Sequence, residues 1–176
     1  MSYIFRQIKK EEVSEMFQLI LKRIEWMNQK GIELWNTTNY VDVFPQSYFE
    51  EKRQQGEVYV LVDNDTNEIV SAAVLSEEDD FWDDHASVIY LHNFVSKLGC
   101  KNVGTVFIEY AEEYAKSKNK QYFRLDSAIN SDFLTRYYES LGFIPVGYCE
   151  EGLYKGICRQ KELKYIQVEA RIYGDY

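Results

Sequence analysis

Residues 103–143 read VGTVFIEYAEEYAKSKNKQYFRLDSAINSDFLTRYYESLGF, and the pattern of this stretch determines the fold prediction. Apolar residues recur at helical spacing behind a glycine at position 104, and they predict an amphipathic helix: Val103, Val106, Phe107, Tyr110, Ala111 and Tyr114. Residues 121–126 predict a short strand. A second helical pattern follows at Phe133, Leu134, Tyr137 and Leu141. A helix, a strand, a helix and a further strand in succession indicate a layered α/β domain.

The rest of the chain extends this alternation on both sides. The first helical pattern begins at Val13 and ends near Gly31, which suits a C-terminal cap. Turn-forming residues at 63–67 join two β-branched runs into a predicted hairpin. The remaining predicted strands are 3–8, 58–62, 69–75, 87–95, 143–149 and 154–165, and a second helix is predicted at 46–54. The fold class is therefore α/β (α+β), a mixed central sheet flanked by helices in the order β-α-α-β-β-β-α-β-α-β-β.

Composition narrows the class of protein. The chain has 176 residues, enough for one domain, which we place at 1–165 with a tail at 166–176. The formal net charge of -9 argues against a nucleic-acid partner and against binding to anionic membranes, and it would suit a cationic substrate. The three cysteines fit neither a disulfide framework nor a zinc pattern. No apolar run approaches the roughly 20 residues that span a bilayer. We therefore expect a soluble cytoplasmic protein that holds no metal.

The helix, strand and helix of residues 103–143, with the pair Tyr137-Tyr138 and the run Leu141-Gly142-Phe143, resemble the acetyl-CoA-binding half of the GNAT family of N-acetyltransferases. The predicted order of elements is similar to that family's order over almost the whole chain. The resemblance implies that acetyl-CoA is the cosubstrate and that an amine of a small molecule or peptide is the acceptor. It also implies a homodimer, because family members are often homodimers.

The resemblance assigns a cofactor site to the strand and loop before the 103 helix. In the family, backbone groups of a splayed strand pair with the pantetheine arm, and amide groups at the helix N-terminus hold the pyrophosphate. The family's loop motif falls on Gly99, Asn102 and Gly104, of which only Gly104 matches well. The predicted cofactor-binding residues are Asn93, Phe94, Val95, Lys101, Asn102, Val103, Gly104, Thr105 and Asn130. The alternative is an ordinary strand-to-helix turn that binds nothing.

The resemblance also implies the general acid. Its tyrosine precedes a Glu and a Gly-Phe pair, and this position is Tyr138. A phenol near the sulfur can give a proton to the departing CoA thiolate. We expect Tyr137 to pack in the core, and core packing is also the alternative for Tyr138. Ser131 is expected to cap the second helix, with Asn130 free to contact the cofactor.

The amine acceptor needs a base, and His92 on the strand beneath the cofactor is the candidate. Strand alternation would put His92 and Phe94 on one face. A buried structural histidine is the alternative. The acidic loop at 77–84 contains aromatic residues that suit a cation-binding lip, although such loops are more often solvated surfaces. The predicted substrate-binding residues are Trp35, Glu77, Asp79 and Trp82.

Two functions follow from these patterns. The first is an acetyl-CoA-dependent N-acetyltransferase in which the amine attacks the thioester directly in a ternary complex. The second is a non-catalytic module with the same fold, suggested by Gly99 at the motif position where the family has Arg or Gln. Release of free thiol from acetyl-CoA in the presence of amines discriminates between the two.

Overall fold

A computed structural model describes residues 1–165, and the proposed tail at 166–176 lies outside the described residues. Seven strands form one mixed sheet in the order β1-β2-β3-β4-β5-β7-β6. The strands are β1 (Tyr3–Gln7), β2 (Val58–Asp63), β3 (Ile69–Ser76), β4 (Val88–Ser96), β5 (Tyr122–Ala128), β6 (Ile144–Glu151) and β7 (Tyr154–Glu162). Only β4 and β5 are parallel neighbours, and the other adjacent pairs are antiparallel.

Five α-helices connect these strands. They are α1 (Val13–Lys30), α2 (Tyr40–Val43), α3 (Gln46–Gln54), α4 (Val103–Ser117) and α5 (Asp132–Ser140). Gly31 ends α1 in the left-handed conformation, at φ 66°, and so acts as the predicted cap. Within residues 1–165 no helix combines the length and the apolar character that a membrane crossing requires.

The sheet separates two apolar cores. One face packs against α1 and α3, with Met16, Ile20 and Phe49 fully buried against β2, β3 and β4. The other face packs against α4 and α5, where Phe107 and Phe123 are fully buried. Strands β2 and β3 are covered on both faces, which is why they read as almost continuous apolar runs. We call these two sides of the sheet the α1 face and the α4 face.

The predicted fold class and order of elements are confirmed. Helix α3 has the predicted bounds, and the hairpin turns through the predicted acidic and asparagine residues. The structure adds α2 and a 3₁₀ turn at Trp35–Thr37 in a segment that has no clear hydrophobic period.

Candidate functional site

The strands β4 and β5 separate in the middle of the sheet. They pair in parallel only from Val88 to Leu91 on β4, opposite Tyr122 to Leu125 on β5. Beyond those residues β4 continues to Ser96, whereas β5 continues to Ala128 in contact with β7 alone. Within residues 1–165, backbone groups that face this gap have no neighbouring strand to pair with, so an extended ligand can pair with them.

Asn93 shapes the β4 side of the gap. It adopts a left-handed conformation at φ 54°, which asparagine tolerates better than most residues, and the β3–β4 register shifts nearby. The side-chain amide of Asn93 donates to the hydroxyl of Tyr40 (2.8 Å) and accepts from the hydroxyl of Tyr48 (3.2 Å). Helices α2 and α3 therefore hold the irregular part of β4 in place.

The same irregularity corrects one prediction. His92 lies opposite Val74, whose side chain is in the core on the α1 face. Phe94 instead packs against Phe107 of α4, with the ring centroids 5.4 Å apart. His92 and Phe94 therefore lie on opposite faces of the sheet, because the bulge at Asn93 interrupts the simple alternation that the prediction assumed.

The loop from β4 to α4 has the geometry of an anion site. Asn102 precedes the helix at φ 62° and ψ 0°, so it takes the left-handed position for which the family motif uses glycine. A Cβ at Gly104 would lie 3.0 Å from Ser96 Oγ and 3.3 Å from the Phe94 ring. Glycine therefore lets the first turn of α4 approach β4 closely. The first N–H groups of α4 lie at the mouth of this loop, where the helix dipole favours an anion.

Side-chain cations around this loop are few. Gly99 (φ 83°) offers no side chain at the motif position, and Lys101 is exposed. Arg23 of α1 donates from Nη2 to the carbonyl oxygen of Ser96 (2.7 Å), so it holds the start of the loop. Backbone amides and Lys101 are therefore the groups in this loop that a diphosphate would meet.

The two tyrosines of α5 occupy different environments. Tyr138 is 7% exposed and packs edge-on against Phe143 in the core on the α4 face. Burial raises the pKa of Tyr138 above its ordinary value, and Asp126 adds to that rise. Tyr137 is half-buried, and its hydroxyl lies 3.1 Å from Thr105 Oγ1. Tyr137 thus contacts the first turn of α4 rather than serving only as core.

The start of α5 is fixed from two sides. The hydroxyl of Ser131 accepts a hydrogen bond from the Leu134 amide at 3.2 Å, so the predicted cap is present. Asn130 donates from its side chain to the carbonyl oxygen of Glu33 (2.8 Å). Asn130 thus ties the β5–α5 loop to the segment after α1, and it remains a predicted cofactor contact.

Four polar side chains converge on the α1 face beside the gap. His92 Nε2 lies 3.0 Å from Asp79 Oδ2. One ligand atom each from Asp79, His92 and Asp126 lie within 4.8 Å of one another. The hydroxyl of Tyr154 donates to Asp126 Oδ2 at 2.5 Å. Burial raises the pKa of Asp126, although the hydrogen bond from Tyr154 and the nearby His92 lower it. We call Asp79, His92 and Asp126 the carboxylate–histidine cluster.

The other predicted substrate residues lie elsewhere or have internal partners. Glu77 forms an ion pair with Lys120 (3.1 Å). Trp82 stacks on the guanidinium of Arg124, whose Cζ lies 4.1 Å from the ring centroid. Trp35 stacks on Tyr40 at 4.4 Å, on the side of the sheet where α2 holds Asn93. The structure brings Asp79 to His92, and it does not bring Glu77 or Trp82 to them.

Sequence reasoning missed Asp126, Tyr154 and Arg124. The sequence places Asp126 at the end of a predicted strand and Tyr154 at the start of one. No short motif links them to Asp79 or His92, because the loop after β3 and the strands β4, β5 and β7 supply these side chains from well-separated positions. Alternation along β5 is the available signal: Phe123 and Leu125 are apolar, so Arg124 and Asp126 share the opposite face of the strand.

Comparison with known proteins agrees with this architecture. The sequence model of the Acetyltransferase (GNAT) family matches residues 20–143. This match covers the gap between β4 and β5, the α4 loop and α5. The chain therefore belongs to the GNAT family of acetyltransferases, which are acyltransferases. No curated protein matches the chain significantly in sequence.

Solved structures show the same fold at low sequence identity. A GNAT-family acetyltransferase from Listeria monocytogenes is 19% identical, with a TM-score of 0.77 over 92% of this chain and 95% of that one. One from Streptococcus agalactiae is 14% identical, with a TM-score of 0.74 over 93% and 96%. The PaiA N-acetyltransferase from Thermoplasma acidophilum, solved in complex with coenzyme A, is 14% identical, with a TM-score of 0.67 over 92% and 99%. The fold of this chain is therefore the one that these acetyltransferases share.

Proposed function

We propose that this protein transfers an acetyl group from acetyl-CoA to a primary amine by direct attack in a ternary complex. The observation that supports this most is that different functional groups lie on the two faces of the gap between β4 and β5. Tyr138 comes from the α4 face, and His92 with its two carboxylates comes from the α1 face. A thioester in the gap would meet an acid on one side and an amine on the other.

Acetyl-CoA would bind along β4 and the α4 loop. The backbone from Asn93 to Val95 would pair with the pantetheine arm, as an added strand does. The N–H groups of residues 101–105 would hold the pyrophosphate, assisted by Lys101. Binding through main-chain groups explains how the loop can function although Gly99 offers no side chain.

Tyr138 would be the general acid. A phenol is protonated at neutral pH even at its ordinary pKa, and burial raises the pKa of Tyr138 further, so the proton is present when negative charge develops on sulfur. Within residues 1–165 the hydroxyl of Tyr138 has no hydrogen-bond partner, so it can serve a ligand.

His92 would accept the proton that the amine loses. Asp79 Oδ2 bonds to Nε2, while Asp79 Oδ1 accepts from the amide of Phe81 (2.7 Å), which fixes the carboxylate. A histidine oriented by a buried carboxylate is a suitable base at neutral pH. The negative charge of Asp79 and Asp126 would attract an ammonium group, so we propose a cationic small molecule or peptide as the acceptor.

The test is release of free CoA thiol from acetyl-CoA with polyamines, aminoglycosides and neutral peptide amines. We expect thiol release that depends on the amine and is fastest with cationic acceptors. Gly104→Asp crowds the α4 loop, adds negative charge and should abolish acetyl-CoA binding in calorimetry. Gly147→Asp is the matched control, because among residues 1–165 no atom beyond its two chain neighbours lies within 4 Å of a Cβ there. Cofactor binding without thiol release for any amine would instead favour the non-catalytic module.

A further inference from the structure

The carboxylate–histidine cluster has the ligand composition of a metal site. Its ligand atoms come from the loop after β3, from β4 and from β5, so two of the three ligands are positioned by strands of the sheet. One imidazole nitrogen and two carboxylate oxygens suit first-row divalent transition ions. The three donor atoms lie within 4.8 Å of one another, so the side chains would have to rotate closer together to give one ion bonds of about 2.0–2.2 Å.

The charge of the cluster favours a cation. In residues 1–165 neither Asp79 nor Asp126 forms an ion pair with a lysine or arginine. Arg124 and Arg159, on β5 and β7, bond to other side chains. Arg124 pairs with Asp84 (2.7 Å). Arg159 donates to Ser127 (2.9 Å) and Thr135 (3.0 Å), and its buried Nη1 has no hydrogen-bond partner within residues 1–165. Two carboxylates therefore face a single imidazole, and the carboxylate–histidine cluster has a net negative charge beside the gap.

Hydrogen bonds from neighbouring groups orient the two carboxylate ligands, as they do in metal sites. Tyr154 donates to one oxygen of Asp126 and leaves the other for an ion. Asp79, whose side chain is 5% exposed, is held by the Phe81 amide. Such outer partners fix ligand orientation in metalloproteins.

We propose that Asp79, His92 and Asp126 bind a divalent transition-metal ion, for which Zn²⁺ is the probe. The ion would occupy the place where the proposed function puts the ammonium group of the acceptor. Metal and amine would therefore compete, whereas metal and acetyl-CoA would bind together because the α4 loop is separate from the cluster. The metal would act as an inhibitor and would take no part in acyl transfer.

The test is direct binding to the full chain, with no acetyl-CoA present. The protein is stripped with chelator, and Zn²⁺ is titrated by calorimetry, with Co²⁺ absorption as a second measurement. All variants carry Cys100→Ser, which removes the half-exposed thiol as a competing ligand. We expect one Zn²⁺ per chain with a micromolar dissociation constant, and a Co²⁺ spectrum free of thiolate-to-metal charge transfer.

Two conservative variants remove ligands without emptying the core. Asp126→Asn and His92→Gln should each weaken Zn²⁺ binding at least tenfold, while circular dichroism shows an unchanged fold. Asp83→Asn is the matched control, because this exposed aspartate of the same loop lies outside the cluster. Its affinity should equal that of the parent.

Three outcomes would overturn the proposal. The first is no Zn²⁺ binding by the parent. The second is binding that neither Asp126→Asn nor His92→Gln weakens. The third is a thiolate-to-Co²⁺ band, which would place the metal at Cys149 and Cys158. None of these depends on catalysis, so failure of the proposed acetyl transfer would leave the metal result interpretable.

Discussion

Tyr137 and Tyr138 are adjacent in sequence but point about 100° apart around α5, so they meet different surroundings. We expect Tyr138→Phe to lower kcat roughly 10²–10⁴-fold, the range of general acid catalysis, with little change in acetyl-CoA affinity. The fold should persist, because the lost hydroxyl has no partner within residues 1–165. The measurement is kcat, KM and cofactor affinity with the best amine from the thiol-release panel.

Tyr137→Phe is the internal control for this prediction. It removes the contact between the Tyr137 hydroxyl and Thr105 Oγ1 at the first turn of α4. We expect at most a several-fold rise in KM for acetyl-CoA and an unchanged kcat, since one neutral hydrogen bond contributes about 1 kcal/mol. Full activity in Tyr138→Phe together with a low kcat in Tyr137→Phe would reverse the two assignments.

At the scale of single residues, backbone preferences were easier to predict than side-chain roles. The left-handed conformation of Asn102 and the cap at Ser131 follow from local chemistry that the sequence shows directly. The contact of Tyr137 with Thr105 and the cluster around Asp126 depend on which helices and strands become neighbours in the fold. Local spacing carries no information about that, so the predicted partner of Trp82 was an external cation although Arg124 fills the position.

At the scale of elements, one ion pair joins β1 to the start of α1. Arg6 donates to both carboxylate oxygens of Glu12, at 2.9 and 2.8 Å. The hydrogen bonds from Arg6 hold the pKa of Glu12 below its ordinary value, although partial burial opposes this. The folded state thus favours the ionised form. The stability from this pair is present above the unfolded pKa of Glu12 and is lost as the pH falls through the lower folded pKa.

Glu12→Gln should therefore lower the free energy of unfolding by about 1 kcal/mol at pH 7. The difference from wild type should shrink as the pH falls below the ordinary glutamate value of 4.5. Urea unfolding at a series of pH values measures both effects. Glu11→Gln is the control, since Glu11 is exposed and makes no hydrogen bond to Arg6. A Glu12→Gln deficit that stays constant down to low pH would contradict the ion-pair explanation.

Helices and strands with a clear hydrophobic period were predicted closely, and irregular segments were not. Helix α3 and the hairpin between β2 and β3 follow from periodicity and turn residues. Helix α2 has only four residues and is held by tertiary contacts, among them the bond from Asn93 to Tyr40. Propensity cannot specify such a short element, because isolated helices of this length are unstable in water.

At the scale of the whole molecule, the charge of -9 acts on both substrates of the proposed reaction. The phosphates of acetyl-CoA are repelled by this field, whereas a cationic amine is attracted. Raising salt screens both effects, with a Debye length of about 10 Å at 0.1 M. We expect KM for acetyl-CoA to fall and KM for the amine to rise as NaCl is increased from low concentration.

Initial rates over a salt series measure this pair of trends. A polyamine and a monoamine with the same reacting group form the matched comparison, and the polyamine should show the steeper loss of kcat/KM. Movement of both KM values in the same direction, or equal slopes for the two amines, would show that the net charge does not govern their encounter with the protein.

The overall architecture was predictable because its order of elements is similar to that of a known family, and that part is confirmed. The point at which β4 leaves β5 was expected only through the resemblance. No periodicity marks it: the apolar run from Val88 to Leu91 is followed by the polar pair His92-Asn93, and this change does not by itself predict the loss of a neighbouring strand. The separation depends on pairing across the sheet: β7 pairs with the other edge of β5 along its whole length, while within residues 1–165 the edge that β4 leaves stays open.

The side chain of Arg124 has a consequence for the acidic loop. Its guanidinium is 3% exposed, lies between Trp82 and Tyr122, and is held by both oxygens of Asp84. The protein thus supplies its own ligand to an aromatic cage of the kind that recognises organic cations.

Arg124→Ala would leave that cage vacant with its counter-ion still present, and free guanidinium could then enter it. Chemical rescue should follow: millimolar guanidinium, far below denaturing levels, should raise the melting temperature of Arg124→Ala but not of wild type, and tetramethylammonium, which cannot pair with both oxygens of Asp84, should be less effective.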